Sequence, residues 1–157
     1  MHRLLFMIGL LISVAVAGQN KQPVSVTDML KIKSIGNVTL SPDGSKAAFT
    51  VTTIENEGDS KWDYKYVTQV WMAPTDGSTV PRQLTTTREN ATQPAWSPDG
   101  KQLAFTRVAD GKQQIFILSL DGGEARQLTK FKYGAAAPKW SPNGEQILFA
   151  TGIPLAD

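Results

Sequence analysis

The chain has 157 residues, of which 41% are hydrophobic and 19% are charged, a length that fits about one domain. Its 16 basic and 14 acidic residues leave a formal net charge of +2, so it lacks the basic excess of a nucleic-acid-binding protein. The absence of cysteine excludes disulfides, thiolate metal sites and cysteine nucleophiles.

Residues 1–17 are predicted to be a secretory signal peptide. Met1-His2-Arg3 is a short positive start, residues 4–17 are mostly apolar, and Ala15-Val16-Ala17 has the small residues of a cleavage site. The apolar run is shorter than the roughly 20 residues that a membrane span needs. We therefore expect a secreted or periplasmic protein with no membrane association after cleavage; a buried N-terminal helix is the alternative.

Removal of this peptide would restrict the chemistry that remains. His2 is the single histidine of the sequence, so residues 18–157 contain neither histidine nor cysteine. They cannot form a Ser-His-Asp triad, a Cys-His pair or a histidine metal site. We expect no catalytic residue, no metal site and no cofactor in this segment, which should be inactive alone.

Residues 18–35 are predicted to be a linker followed by a short lead-in helix. Thr27-Asp28-Met29-Leu30-Lys31-Ile32 has the pattern of a capped helix. The domain proper is predicted at residues 36–157.

Three copies of one turn motif divide residues 36–157 into repeated units. They are Ser41-Pro42-Asp43-Gly44, Ser97-Pro98-Asp99-Gly100 and Ser141-Pro142-Asn143-Gly144, and a strand-like run with a phenylalanine follows each. Proline sets the backbone at the second position, Asp or Asn suits the third, and glycine accepts positive φ at the fourth. The second and third copies are 44 residues apart, as are the two Arg-Gln-Leu-Thr motifs at 82–85 and 126–129.

This period predicts the fold. Several short strands per 40–45 residues are typical of a β-propeller blade. We predict an all-β partial propeller of four-stranded antiparallel blades, about three units with the last incomplete. In the second unit we expect strands near 93–96, 102–108, 114–120 and 124–129. Because closed propellers have about 4–8 blades, the expectation is a fragment of a larger propeller; a short protein that closes by oligomerising is the alternative.

Two sets of repeated residues are assigned structural roles. Trp71, Trp96 and Trp140 are predicted to be core residues instead of a stacking platform, because tryptophan recurs at fixed blade positions. Asp43, Asp99 and Asn143 are predicted to serve their turns, since carboxylates in separate blades do not converge on a calcium ion.

The first unit carries twelve extra residues, of which eleven fall between Phe49 and Trp71. This insertion, residues 54–66, is acidic and aromatic, and loops carry binding residues more often than scaffold strands do. One hypothesis is contact with a peptide amine or a catalytic domain; the other is a longer solvated hairpin with Trp62 and Tyr64 folded onto the blade. The candidate contact residues are Glu55, Glu57, Asp59, Trp62, Asp63 and Tyr64.

The motifs resemble a known family. After the apparent signal peptide, Val-Thr-Asp-Met-Leu-Lys-Ile-Lys at 26–33 and Leu-Ser-Pro-Asp-Gly-Ser-Lys-Ala-Ala-Phe-Thr-Val at 40–51 resemble the start of secreted prolyl oligopeptidase family serine peptidases. Dipeptidyl-peptidase and acylaminoacyl-peptidase-like members are the most similar. Trp-Ser-Pro-Asp-Gly-Lys-Gln-Leu-Ala-Phe at 96–105 also resembles the repeats of TolB-like periplasmic propellers.

The resemblance implies a function for a larger parent protein. In that family the propeller gates and positions oligopeptides for a C-terminal α/β-hydrolase domain with its serine on a G-x-S-x-G elbow. This sequence has no such elbow, and Glu55 and Glu57 do not match the glutamate pair of some dipeptidyl members, so no family site residue is carried over. The expected partners are that hydrolase domain and oligopeptides; the alternative is a TolB-like propeller that binds protein partners without peptidase activity.

Overall fold

The computed structural model describes residues 23–58 and 62–153. The predicted signal peptide and Asp59 of the candidate loop lie outside the described residues. The described part contains one short helix, and no helix in it is long and apolar enough to cross a membrane. The remaining elements are ten strands in three antiparallel sheets.

The lead-in helix, α1 (Val26–Met29), is shorter than its predicted span of 27–32. Asp28 Oδ2 accepts the backbone N–H of Ser25 at 2.9 Å, and Asp28 Oδ1 pairs with Lys31 Nζ at 2.7 Å. The Lys31 contact and the Ser25 hydrogen bonds lower the pKa of Asp28 to about 2. None of the helix is buried, so the described residues do not pack against it to extend it.

Strand order in space follows strand order in the chain. The first sheet comprises β1 (Ser34–Leu40), β2 (Lys46–Asn56), β3 (Tyr64–Pro74) and β4 (Arg82–Gln83); the second comprises β5 (Ala91–Trp96), β6 (Gln102–Ala109), β7 (Lys112–Ser119) and β8 (Arg126–Gln127); the third comprises β9 (Ala136–Trp140) and β10 (Ile147–Ala150). Four-stranded antiparallel meanders confirm the predicted all-β propeller fold. The fourth strands are shorter than expected.

The core lies between successive sheets. Leu103 and Phe105 on β6 pack toward the first sheet, whereas Ala104 between them packs toward the third. Side chains alternate across a strand, so both faces of the second sheet are buried. The corresponding Phe49 of the first sheet is only half-buried, because the described residues cover that face less completely.

The turn motifs form as predicted, with a shared hydrogen-bond pattern. Ser41 and Ser97 donate their hydroxyls to Asp43 and Asp99, and Ser141 donates to Asn143 at 2.6 Å. Each serine Oγ also accepts the backbone N–H of the residue five positions later, at 2.9 Å in all three turns. The fourth-position glycines have φ of 70°, 69° and 73°. The aspartates thus serve their own turns.

Tryptophan indoles tie neighbouring sheets together. Trp96 Nε1 donates to the Thr39 carbonyl at 3.2 Å, and Trp140 Nε1 donates to the Ala95 carbonyl at 3.1 Å. These two residues end the first strands of their sheets. The grouping of Trp71 with them is wrong, since Trp71 lies on the third strand, paired with Phe49.

Candidate functional site

The insertion lengthens one hairpin. β2 and β3 pair from Lys46–Pro74 to Asn56–Tyr64, whereas β6 and β7 stop at Ala109–Lys112. The pairs Ile54–Tyr66, Glu55–Lys65 and Asn56–Tyr64 have no counterpart in the shorter hairpin. The extra residues therefore form a projecting two-stranded ribbon.

The ribbon has two different faces. Glu55 and Lys65 share one face, while Ile54, Tyr64 and Tyr66 share the other, because cross-strand partners point the same way. Lys65 Nζ lies 2.9 Å from Glu57 Oε1, and Glu55 accepts the Thr53 hydroxyl at 3.1 Å. Both glutamates are thus engaged by residues of their own hairpin.

The aromatic residues of the insertion are exposed. Trp62 is 79% exposed, Tyr66 70% and Tyr64 40%. The expectation that Trp62 folds onto the blade is wrong. Asp63 is also exposed, and its carbonyl accepts the Glu57 N–H at 2.7 Å. These side chains leave a mixed acidic and aromatic surface at the end of the hairpin.

The charged face of the ribbon borders a groove of about 560 Å³. Its lining includes candidate residues Glu55 and Glu57, and its opposite wall is residues 86–88, in the connection that follows β4. Arg88 belongs to this wall and is exposed. Because carboxylates and cations share the groove, its chemistry suits a zwitterionic or mixed-charge ligand such as a peptide.

A buried glutamine holds the groove wall in place. Gln69 is 5% exposed, and its Nε2 donates to the carbonyls of Thr87 at 2.8 Å and Glu89 at 3.2 Å. Its Oε1 accepts the hydroxyl of Thr85, the threonine of the first Arg-Gln-Leu-Thr motif. Sequence reasoning missed this residue.

The second sheet repeats the same arrangement. Thr129 Oγ1 donates to Gln114 Oε1 at 2.8 Å, and Gln114 Nε2 donates to the Phe131 carbonyl at 2.8 Å. The sequence carries a signal for these contacts that was not used. In both units a glutamine comes just before the core residue of the third strand, and a threonine ends the Arg-Gln-Leu-Thr motif.

The described residues offer no cluster of three or more His, Asp or Glu side chains that could hold a metal ion. The five candidate contact residues that the structure describes do not converge on one point: Glu55 and Glu57 line the groove, and Trp62, Asp63 and Tyr64 lie at the exposed end.

Comparison with known proteins identifies the class of protein. Residues 63–153, more than half of the chain, match the family described as the Tricorn protease N-terminal beta propeller domain. The chain therefore belongs to this propeller family.

Relatives with the same propeller segment include peptidases. The chain is 37% identical over 108 residues to the uncharacterized peptidase YuxL of Bacillus subtilis, covering 68% of this chain and 15% of that protein. It is 32% identical over 98 residues to dipeptidyl-peptidase 5 of Porphyromonas endodontalis, covering 62% and 13%. A TolB homolog of Chlorobium luteolum is 32% identical over 89 residues, covering 57% and 18%. The chain thus spans less than a fifth of each relative.

A solved structure shares the fold. The acylaminoacyl peptidase of Pyrococcus horikoshii superposes with a TM-score of 0.59 at 20% identity, covering 78% of this chain and 18% of that one. At this level of identity the similarity shows the fold alone.

Proposed function

We propose that this chain is the non-catalytic N-terminal propeller segment of a secreted serine peptidase. Its blades restrict access and position oligopeptides for an α/β-hydrolase domain of the same parent polypeptide. The observation that carries the proposal is membership of a peptidase propeller family, together with 37% identity to a protein named as a peptidase. Histidine and cysteine are absent from residues 18–157, so a Ser-His or Cys-His catalytic pair needs residues outside them.

The groove beside the hairpin is the proposed contact surface for oligopeptides. Its glutamates suit a peptide ammonium group, and Arg88 suits a carboxylate. In this proposal the projecting β2–β3 hairpin lies beside the path of the substrate. Export to the periplasm or medium, directed by residues 1–17, is part of the proposal.

The experiment compares native-length protein with a variant in which residues 54–66 are replaced by Asp-Gly. Cleavage rates are measured on a series of peptides from two residues upward. We expect the shortened hairpin to admit longer peptides and to raise KM for short ones, while kcat on the shortest peptide stays within about twofold. Identical length profiles for the two proteins would contradict a gating role.

The second candidate function is a TolB-like propeller that binds protein partners. The 32% identity to a TolB homolog favours it. A fluorophosphonate probe separates the two: a serine peptidase becomes covalently labelled, whereas a TolB-like protein stays unlabelled and instead co-purifies with a periplasmic partner.

A further inference from the structure

The outer edge of β3 is paired along only part of its length. β4 has two residues and pairs with Trp71 and Met72 alone. Beyond it, the Val70 carbonyl accepts the Leu84 N–H at 2.8 Å, and the Val70 N–H donates to Thr85 Oγ1 at 3.0 Å. The backbone groups of Val70 therefore point away from β2.

In an antiparallel ladder the backbone N–H and C=O groups of every second residue point to the same side of the strand. Thr68, Tyr66 and Tyr64 direct their N–H and C=O groups outward as Val70 does. The Thr68 N–H confirms it by donating to Asn90 Oδ1 at 2.8 Å. Asp63 is out of phase with them, and its carbonyl accordingly points inward to the Glu57 N–H.

Side chains thus cover the edge as far as Thr68 and leave the rest open. Across residues 23–58 and 62–153, no hydrogen-bond partner accompanies the backbone of Tyr64 or Tyr66 on the outer side. We call these outward N–H and C=O groups the β3 edge. Unpaired edges are templates for another strand, and natural proteins generally block them.

We propose that the β3 edge binds an extended peptide segment as an added strand beyond β3. This inference rests on the proposed function in taking a peptide as the ligand, and it names the contact: main-chain hydrogen bonds give affinity, and the groove beside Lys65 receives alternate side chains.

Charge favours a foreign peptide over a second copy of this chain. Antiparallel self-pairing that used both tyrosines would set Lys65 directly opposite Lys65 of the other copy, and like charges so placed are destabilising. Arg88, on the facing wall, forms no ion pair within the described residues. Because Lys65 is already paired with Glu57, Arg88 supplies the cation that favours an acidic peptide residue opposite Lys65.

The direct test is residue-resolved amide hydrogen exchange on the protein at its native length. The probe is acetyl-Thr-Val-Thr-Asp-Thr-Val-Thr-amide, which cannot use terminal charges. We expect the Tyr64 and Tyr66 amides to slow by about tenfold on binding. The Ile54 amide, directed to the opposite edge of the ribbon, should not change. Unchanged tyrosine amides at saturation would overturn the proposal, as would protection that grows with protein concentration without probe.

Two matched proline variants localise the contact. Tyr66→Pro removes an outward N–H without breaking the β2–β3 ladder, and Ile54→Pro does the same on the opposite edge of the same pair. We expect Tyr66→Pro to weaken probe binding by about tenfold and Ile54→Pro to leave it within about twofold. Equal effects would overturn the edge assignment.

A charge reversal remains informative if the proline variants do not fold. Lys65→Glu should weaken binding of the aspartate probe and strengthen binding of the same peptide with lysine in place of the aspartate. An unchanged preference between the two peptides would contradict the proposed register. Failure of the proposed peptidase function can be told apart from failure of this proposal. A protein that fluorophosphonate does not label, but whose Tyr64 and Tyr66 amides are protected by the probe, would keep the β3 edge as a binding site and lose the peptidase assignment.

Discussion

The β2–β3 and β6–β7 hairpins begin alike and end differently. Phe49–Trp71 and Phe105–Phe116 occupy the same register position in their sheets. Beyond that position β6–β7 closes at Asp110-Gly111, a two-residue turn with both φ values positive, whereas β2–β3 continues as an exposed ribbon. The blade frame therefore tolerates an insertion at the hairpin end because the core is fixed closer to the turn motifs.

The two hairpins also differ in how their surfaces are closed. Arg107 lies 3.7 Å above the Phe116 ring and covers the short hairpin. The long hairpin instead leaves Trp62 and Tyr66 exposed. Large exposed aromatics are features of recognition surfaces, so the proposed contact role falls on the long hairpin.

The largest expected effect is a difference in stability between core substitutions in the two hairpins. Phe105→Ala should lower the free energy of unfolding by about 3–5 kcal/mol, because its side chain is fully buried. Phe49→Ala, at the equivalent half-buried position, should cost less than half as much. Urea unfolding of the two variants measures the difference, and equal losses would show that both sheets are equally enclosed.

The threonine of each Arg-Gln-Leu-Thr motif gives the next effect. Thr85→Val and Thr129→Val should each cost about 1–3 kcal/mol, since each leaves a buried backbone N–H without its acceptor and removes a hydroxyl that donates to a buried glutamine. Only Thr85→Val should also speed amide exchange next to the β3 edge. If both variants altered that edge, the hairpins would not be independent.

Acid should affect the turns unequally. The Ser41 hydroxyl, with the Ser45 groups, lowers the pKa of Asp43 to about 2, and the Ser97 hydroxyl lowers that of Asp99. A depressed folded-state pKa adds stability above the unfolded value of 3.8, and this stability is lost as pH falls toward 2.

The third turn has Asn143 and no such dependence. The midpoint of urea unfolding should fall between pH 5 and pH 2 as the aspartates are protonated. Asp43→Asn should remove the contribution of the Asp43 carboxyl from this fall and so make it shallower. An unchanged decline would mean that the Asp43 contacts do not persist in solution.

The smallest effect belongs to the exposed ion pair of the ribbon. The side chains of Glu57 and Lys65 are 55% and 32% exposed. Glu57→Gln breaks the ion pair between them and should change the free energy of unfolding by less than about 1 kcal/mol. Thermal unfolding at low and high salt checks this, and a larger loss would make the ribbon part of the stable frame.

Repetition explains what the sequence could predict. The Ser-Pro-x-Gly turns have local chemistry at fixed spacing, so three copies were enough to define sheets and strand order. Features that depend on contacts between sheets were missed. Asn37, Gln93 and Ala137 sit at one equivalent position in the first strands with φ of 46°, 53° and 54°, yet share no residue type.

The candidate site was predicted only as a segment. Its acidic and aromatic composition identified residues 54–66, but composition cannot show which groups are already paired. The contribution of Gln69 and the open backbone at Tyr66 arise from β4 being two residues long, which no local pattern specifies. Sequence reasoning thus located the insertion and could not describe its edge.

The peptidase assignment is tested most directly by fluorophosphonate labelling of the native polypeptide that contains residues 54–66. The intact mass of the labelled polypeptide is then measured. We expect one labelled polypeptide several times longer than this chain, with the label on a serine outside residues 18–157. A polypeptide that carries these blades and remains unlabelled would contradict the peptidase assignment.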